Sequence, residues 1–387
     1  MNDKPLRVII SGGGTAGHIN PAVSVADALR SLPGGDGVEI LFVGAEGKME
    51  MERVPKAGYE IVGLPVAGLQ RQHLVSKANF ALPFKVMRSL RQARRILKDF
   101  KPDVVAGFGG YASAPVLWAA QRMGIPTVIQ EQNSYAGLTN RLLSKRAKAI
   151  CVAYEGMERF FPAAKIVHTG NPLRGQFAGL SEPSAALKAE ACDHFGFTAE
   201  EGKKTLLVVG GSLGTRTLNR CMLRWLDRLA ERDDVQVIWQ NGKYYDAQIE
   251  GELSSRPGGL PENVWRGAFV ERMDLAYAIA DVVVARAGAC TVSELELIGR
   301  PVIFVPSPNV AEDHQTRNAE ALTTKNAAWL VRDDAAVEEV VPRALELLAD
   351  ERKRAEMTAN ILELGRPRAA KDVAETVVKT AKDYGKR

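Results

Sequence analysis

The chain has 387 residues, of which 46% are hydrophobic and 25% are charged. This composition is that of a folded α/β protein and excludes a disordered or fibrous chain, and the length favours two domains. No apolar run approaches the ~18 residues of a membrane-spanning helix. The four cysteines are Cys151, Cys192, Cys221 and Cys290. They form no C-x-x-C pair, which argues against a zinc site or a disulfide framework.

The charge is distributed unevenly along the chain. Residues 1–171 carry 22 Lys+Arg and 13 Asp+Glu, a net +9, whereas the remainder carries 29 and 33, a net −4. Nine basic residues and one acid, Asp99, fall within residues 70–101. We expect this half to meet an acidic partner, either nucleic acid or an anionic membrane surface.

The basic segment divides into a loop and a helix. In the helix, the spacing predicts that Met87, Leu90, Leu97 and Phe100 face the core while the basic residues are solvated. The apolar residues before it lack helical spacing, so the loop is expected to lie on an anionic membrane. Those loop residues are Leu74, Val75, Phe80, Leu82 and Phe84.

Short apolar runs alternate with helical patterns, which is typical of β-α-β units on parallel sheets. The first series of predicted strands is Arg7–Ser11, Glu39–Val43, Val104–Gly107, Thr127–Gln130 and Ile150–Ala153. The second is Thr205–Val209, Val235–Gln240, Val264–Ala268, Val282–Ala285, Val302–Val305 and Ala328–Val331. Each series opens with an apolar strand that enters a glycine-rich turn.

The polar run HTGNPLRGQ, residues 168–176, indicates a linker between two doubly wound domains. We therefore predict an α/β protein with one domain at 1–170 and a second at 171–367. A helical pattern covers Ala335 to Leu364. After it, a last helix within 368–387 is expected to pack back on the first domain.

Glycine-rich turns that precede helices predict anion sites, because free amides and the helix dipole converge there. Gly12-x-Gly14-x-x-Gly17 fits the dinucleotide fingerprint, so a nicotinamide or flavin enzyme is one alternative. A second glycine loop in the same half favours instead a site for an acceptor that carries phosphates. The expected acceptor residues are Gly13, Gly14, Gly109, Gly110 and Tyr111. Tight turns alone also require some of these glycines.

The second half contains a comparable pattern, RAGACTVSELELIG. Gly288 follows a strand, and Thr291 and Ser293 open a helix, which predicts a diphosphate site. Glu294 is a candidate to accept hydrogen bonds from ribose hydroxyls; the alternative is a helix N-terminal acid favoured by the dipole. Downstream, polar side chains at Asp313, His314, Gln315 and Asn318 are candidates to read sugar hydroxyls.

Seven motifs, in this order, resemble the MurG family of bacterial transferases. They are GGGTAGHINPA, GFGGYASAP, EQNSYAGLTNR, TGNPLR, GGSLG, RAGACTVSE and DHQTRNA. Members of that family add N-acetylglucosamine to undecaprenyl-diphospho-N-acetylmuramoyl-pentapeptide, which converts lipid I to lipid II in peptidoglycan synthesis. The resemblance implies an inverting hexosyltransferase of GT-B fold, with two Rossmann-like domains facing across a cleft, that uses UDP-N-acetylglucosamine.

The resemblance also implies a donor site. Its residues are Thr15, Ala16, Gly17, Asn133, Arg174, Ser212, Val270, Ala289, Cys290, Thr291, Val292, Ser293, Glu294 and Gln315. Arg174 and Ser212 are expected to hold the diphosphate, and the Val270 backbone to read uracil. Glu294 would hold the ribose and Gln315 the sugar. Ala16 and Val270 depart mildly from the glycine and isoleucine that are frequent in the family.

For catalysis, His18 is predicted to be the general base, because it ends the first glycine loop and histidine titrates near neutral pH. Glu131 is the substitute candidate, and a bond from His18 to the loop backbone or a phosphate is the structural alternative. No Asp-x-Asp element is present to hold a divalent ion, so neither metal nor other cofactor is expected.

The expected partners are UDP-N-acetylglucosamine, lipid I, the anionic inner-membrane surface and other cell-wall synthesis proteins, with no nucleic acid. The expected location is peripheral, on the cytoplasmic face of the inner membrane. Four alternatives stay open: a glycolipid synthase, a UDP-N-acetylglucosamine 2-epimerase, a non-catalytic membrane-docking or sugar-nucleotide-sensing subunit, and a nicotinamide enzyme.

Overall fold

The computed structural model describes residues 4–66, 82–173, 175–177, 179–198, 202–211, 213–310 and 313–384. The chain divides into two compact units. Unit 1 comprises Met1–Arg174 and Arg366–Arg387, and unit 2 comprises Gly175–Gly365. None of the described helices is both long and apolar enough to span a bilayer.

Unit 1 is built on a parallel sheet of seven strands in the order β3-β2-β1-β4-β5-β6-β7. The strands are β1 Arg7–Ser11, β2 Glu39–Ala45, β3 Glu60–Leu64, β4 Val104–Gly107, β5 Thr127–Glu131, β6 Ala149–Val152 and β7 Ile166–His168. The helices are α1 Ala16–Ser31, α2 Glu50–Lys56, α3 Leu82–Phe100, α4 Gly110–Arg122, α5 Leu138–Ser144 and, from the end of the chain, α14 Ala369–Tyr384.

The central strands of unit 1 are apolar on both faces because helices cover both sides of the sheet. Val8, Ile9 and Ile10 of β1 are fully buried, Val8 and Ile10 in one core cluster and Ile9 in another. Helix α14 packs against α1. Its Val373 and Val377 share a core cluster with Leu29 of α1.

Unit 2 is built on a parallel sheet of six strands in the order β10-β9-β8-β11-β12-β13. The strands are β8 Lys204–Val209, β9 Val235–Gln240, β10 Val264–Gly267, β11 Val282–Ala285, β12 Val302–Phe304 and β13 Trp329–Leu330. The helices are α6 Ala185–Phe195, α7 Arg216–Ala230, α8 Asp246–Ser254, α9 Met273–Ile279, α10 Ala289–Ile298, α11 His314–Thr323, α12 Ala336–Ala349 and α13 Glu351–Leu364.

Three sequence-based expectations about local structure were wrong. Strands β3 and β7 were not predicted, because both are short and lie at sheet edges, where the apolar signal is weak. The helical pattern from Ala335 to Leu364 is two helices. Asp350 leaves the helical conformation between them, and its side chain caps the second by accepting from the Lys353 amide at 2.8 Å.

Helix α3 carries the basic segment. Ala93 and Leu97 face the core, whereas Arg88, Arg91, Arg94, Arg95 and Lys98 are exposed. Met87 is 52% exposed, so its assignment to the core was wrong: it lies on the basic face rather than in the buried stripe. Leu82 and Phe84, assigned to the preceding loop, belong to the helix. The rest of that loop, with Leu74, Val75, Lys77 and Phe80, lies outside the described residues.

Candidate functional site

In each unit the strand order reverses at the first strand, which leaves a crevice at the carboxyl ends of two neighbouring strands. In unit 1 these strands are β1 and β4, which are paired in parallel. Ligands of open α/β sheets bind in such crevices. The first glycine loop follows β1 and the second follows β4, so the topology brings together the two loops that the sequence analysis singled out.

The two loops of unit 1 touch through their backbones. A Cβ atom at Gly110 would lie 2.4 Å from the Gly13 carbonyl oxygen, so this position requires glycine. Gly14 has a φ of 86° and lies beside the Tyr111 ring. Helices α1 and α4 begin directly after the loops, at Ala16 and Gly110. Two helix N-termini therefore lie at the carboxyl edge of one sheet.

A buried carboxylate that the sequence analysis missed occupies part of the first loop. Glu50, at the start of α2, is fully buried. It accepts the Gly14 amide hydrogen at 3.1 Å and the Ala45 amide hydrogen at 3.0 Å. A Cβ atom at Gly13 would lie 2.1 Å from its Oε1. The expectation that the Gly14 amide faces an acceptor phosphate was therefore wrong, because Glu50 already binds it.

His18 lies in the first turn of α1 and is half-buried. Its Nδ1 is 3.0 Å from the Gly13 carbonyl oxygen and 3.0 Å from Thr15 Oγ1. A carbonyl oxygen only accepts, so the neutral ring carries its proton on Nδ1 and its lone pair on Nε2. A Cβ atom at Gly109 would lie 3.3 Å from Nε2. Glycine at that position therefore leaves room beside the basic nitrogen.

Glu131 ends β5 and is only 2% exposed. One of its oxygens accepts from the amide of Asn133 at 3.2 Å, and the other accepts from the Gly137 amide at 3.0 Å and Asn140 Nδ2 at 2.8 Å. Burial raises the pKa of this carboxyl, against the opposing effect of these hydrogen bonds. Since both oxygens are engaged in holding the loop after β5, the geometry favours His18 over Glu131 as a base.

The crevice of unit 2 lies between β8 and β11, which are paired in parallel. It is a pocket of about 430 Å³ in which glycine-rich backbone after both strands meets the start of α11. The lining includes Gly210, Gly211, Gly214, Thr215, Arg286, Gly288, Thr291, Gln315 and Asp333. Hydroxyl groups beside a helix N-terminus suit a diphosphate. The Gly210 amide donates to Gln240 Oε1 at 3.1 Å and the Gly214 amide to the Gly211 carbonyl at 2.9 Å, so these two amides hold the turn itself.

Arg286 was quoted in a motif but given no role in the sequence analysis. Its guanidinium donates to the carbonyl oxygens of Val305 at 2.7 Å and Pro306 at 3.0 Å, and forms a salt bridge of 2.6 Å with Asp333. Asp333 also accepts from the Thr217 hydroxyl at 3.1 Å. The positive charge of Arg286 in the pocket wall is therefore paired with the negative charge of Asp333. The sequence signal was a basic residue directly after an apolar strand and before a glycine turn.

The run from Ala289 to Glu294 forms the first turns of α10. Ala289, Val292 and Ser293 are buried, so in this run only Cys290, Thr291 and Glu294 are partly exposed. Glu294 lies in the second turn, beyond the reach of the dipole effect that the alternative interpretation required. Burial raises the pKa of Glu294 to about 7, and a hydrogen bond from Tyr277 opposes this shift.

The other residues proposed to bind the sugar nucleotide differ in which of their groups are available to a ligand. Val270 is buried, so only its backbone is available. Gln315 Oε1 accepts the Ser307 amide hydrogen at 2.9 Å, which leaves Nε2 as its donor group. Asn318 is fully buried and donates to the Ala287 carbonyl at 3.2 Å, so the expectation that it reads a sugar was wrong. Arg174 and Ser212 lie outside the described residues.

Metal binding in proteins requires a cluster of ligating side chains. Across the described ranges, no group of three or more His, Cys, Asp or Glu side chains is placed to hold a metal ion. Burial raises the pKa of the Cys290 thiol to about 12, with a further contribution from Glu294, so this cysteine is a neutral group beside the helix start.

Comparison with known proteins assigns the family. Residues 8–152 match the glycosyltransferase family 28 N-terminal domain, and residues 205–376 match the C-terminal domain of the same family. The chain belongs to glycosyltransferase family 28. The boundaries of the two matches place β1 to β6 in the first domain and β8 to β13 in the second.

Relatives of this family 28 chain span nearly its whole length. A protein of Bacteroides thetaiotaomicron is 51% identical over 98% of this chain and 99% of its own, and one of Porphyromonas gingivalis is 50% identical over 97% and 95%. Both are named UDP-N-acetylglucosamine–N-acetylmuramyl-(pentapeptide) pyrophosphoryl-undecaprenol N-acetylglucosamine transferase.

Solved structures agree on the fold. Acinetobacter baumannii MurG is 29% identical, covers 97% of this chain and 100% of its own, and has a TM-score of 0.76. The UDP-GlcNAc 2-epimerase of Neisseria meningitidis, at 17% identity and a TM-score of 0.67, shares the fold alone. With its two parallel sheets and family 28 domains, the chain has the GT-B fold, and the predicted fold class is confirmed.

Proposed function

We propose that this glycosyltransferase moves N-acetylglucosamine from UDP-N-acetylglucosamine to the 4-hydroxyl of N-acetylmuramic acid in undecaprenyl-diphospho-N-acetylmuramoyl-pentapeptide. The observation that carries the proposal is the 51% identity over 98% of the chain to a transferase of that name. The product is the disaccharide lipid that peptidoglycan synthesis requires.

The donor is assigned to unit 2. The glycine turn after β8 and the N-terminus of α10 line one pocket, and the Arg286 guanidinium, paired with Asp333, forms part of its wall. These groups would stabilise the two phosphates and the charge that develops on the leaving UDP. Glu294, one turn further along α10, would accept from the ribose, and Gln315 would donate through Nε2 to the sugar.

The acceptor is assigned to the glycine loops of unit 1. His18 Nε2 would accept the proton of the 4-hydroxyl as its oxygen attacks the anomeric carbon from the face opposite UDP. A single displacement of this kind inverts the configuration. The Gly13 carbonyl supports this role, because it fixes the ring tautomer that leaves a lone pair on Nε2.

The enzyme is proposed to act at a membrane surface, since its acceptor is a lipid. The exposed arginines of α3 lie along one face with Met87 among them, which suits an anionic leaflet. Peripheral binding at the cytoplasmic side of the inner membrane, close to other cell-wall synthesis proteins, is the corresponding location. No role for nucleic acid is proposed.

The decisive experiment incubates the purified protein with UDP-N-acetylglucosamine and a short-chain lipid I analogue. We expect release of UDP that depends on the acceptor, together with a disaccharide product. Formation of UDP-N-acetylmannosamine without acceptor would instead establish an epimerase. UDP release without product, or no turnover at all, would overturn the transferase assignment.

A further inference from the structure

Tyr277 is a fully buried tyrosine whose hydroxyl is directed at the candidate ribose-binding carboxylate. It lies in α9, and its Oη donates to Glu294 Oε2 at 3.1 Å. Burial and the nearby Glu294 charge raise its pKa well above 10, so the hydroxyl keeps its proton and serves as a donor. The sequence analysis gave this residue no role.

The two oxygens of Glu294 are therefore not equivalent. Oε2 is held by Tyr277, whereas Oε1 receives no hydrogen bond from the part of the chain that the structure describes. A carboxylate with one oxygen fixed inside the protein presents the other in a single orientation, which lowers the entropic cost of binding a hydroxyl group.

Tyr277 is itself held from two sides. Its ring makes an edge contact with Phe177, with centroids 5.7 Å apart and planes at 70°. Its backbone carbonyl accepts from Arg300 Nε at 2.9 Å, and the same guanidinium donates to the Leu180 carbonyl at 3.1 Å. Phe177 and Leu180 belong to the first residues of unit 2, which directly follow the crossover from unit 1.

We propose that Tyr277 is a positioning residue that fixes Glu294 for recognition of the two ribose hydroxyls of a uridine diphosphate donor. The proposal rests on the proposed function, because it takes Glu294 as the ribose acceptor. It adds a support chain that runs from the start of unit 2 through Phe177 and Tyr277 to the carboxylate. Tyr277 acts on the donor only through Glu294.

The test compares the affinities of UDP and 2′,3′-dideoxy-UDP, measured by titration calorimetry, for the parent, Y277F and Y244F. Y277F keeps the buried ring and removes only the hydroxyl. Y244F is the matched control, since Tyr244 is 80% exposed. The parent and Y244F should prefer UDP strongly. In Y277F this preference should fall about fivefold or more, with dideoxy-UDP affinity nearly unchanged.

Other outcomes overturn the proposal in distinguishable ways. An unchanged preference in Y277F removes the positioning role while leaving the donor assignment intact. Equal binding of the two nucleotides by the parent removes the ribose role of Glu294 as well. A parent that binds neither nucleotide overturns the proposed function itself.

Two further variants separate positioning from a general effect on folding. In an E294Q background, Y277F should cause no additional loss of preference, because the group through which it acts is gone. If Y277F does not fold, F177L removes the ring contact and leaves the hydroxyl in place. It should then lower the preference about twofold, and no change would overturn the proposal.

Discussion

The carboxylate of Glu50 binds the amide of Gly14, 36 residues before it in the chain, at a distance of 3.1 Å. The same side chain binds the Ala45 amide, so one buried group joins the end of β2 to the loop after β1. Hydrogen bonds to Glu50 therefore fix the loop that leads into α1, the helix that carries His18.

Substituting Glu50 by alanine should destabilise unit 1, because it leaves the buried Ala45 amide and the part-buried Gly14 amide without their acceptor. We expect a loss of about 2–4 kcal/mol in the free energy of unfolding, measured by urea denaturation. E52A is the control, since Glu52 is exposed on the same helix, and it should change stability by less than about 0.5 kcal/mol. Equal stabilities for the two variants would contradict this account.

Replacing His18 by alanine should reduce turnover by about 10²- to 10⁴-fold while donor affinity stays near that of the parent. The reason is that its lone pair on Nε2 would be lost, whereas the proposed donor pocket lies in unit 2. The acidic limb of the pH–rate profile should disappear in H18A. E131Q, which disturbs only the loop after β5, should retain that limb. A decrease of less than about tenfold for H18A would exclude His18 as the base.

Glu294 should make the unliganded protein less stable at neutral and alkaline pH. Its pKa is about 7 in the folded protein against an ordinary value of 4.5. A carboxyl group whose pKa is higher in the folded protein than in the unfolded chain stabilises the fold fully below about pH 4.5. That stabilisation is lost as the pH rises to about 7. E294Q should therefore be more stable than the parent at pH 8 by about 1–3 kcal/mol, and nearly equal at pH 4.5.

The same substitution should weaken binding of UDP-N-acetylglucosamine, since an amide accepts ribose hydroxyls less strongly than a carboxylate. Thermal melts and calorimetry at pH 8 measure the two effects together. E363Q, at an exposed position on α13, provides a control that should change neither. An E294Q protein that is less stable and binds the donor as before would refute the assignment.

Neutralising the α3 surface should lower binding to anionic vesicles. The variant R88Q/R91Q/R95Q removes three exposed positive charges from one face, each worth about 1 kcal/mol near an anionic leaflet, so partitioning at low salt should fall on the order of 10- to 100-fold. R220Q/R224Q/R228Q removes three exposed charges from α7 and is the matched control. If vesicle sedimentation falls equally for both, a specific α3 surface is excluded.

Local sequence patterns were sufficient to predict the strands, turns and helix N-termini around the site. Apolar runs such as Val8 to Ile10 predict strands that are buried on both faces. The glycines after them predict turns that lead into helix N-termini. Parallel strands end at one edge of a sheet. The sequence therefore predicts that Gly13, Gly109 and His18 lie close together, as the structure shows.

The supporting contacts could not be predicted in this way. Glu50 binds Gly14 and Tyr277 binds Glu294, partners that lie 36 and 17 residues away in the chain, and no spacing rule predicts such pairs. The sequence around Asp350 is compatible with a continuous helix, and only the hydrogen bond from the Lys353 amide shows that Asp350 caps a second helix. Met87 shows a related limit: its spacing of three residues from Leu90 fits the buried helix face, yet Met87 is 52% exposed whereas Leu97 is buried.

Helix α14 gives unit 1 an unusual order of synthesis. All of Gly175–Gly365 is translated between the two parts of unit 1, which takes about 10–40 s at typical rates of elongation. During that interval α1 lacks the partner that covers its apolar side, and unit 2 is complete only when the interval ends. The domain that is begun first therefore acquires its last core helix only after the whole of unit 2 has been translated.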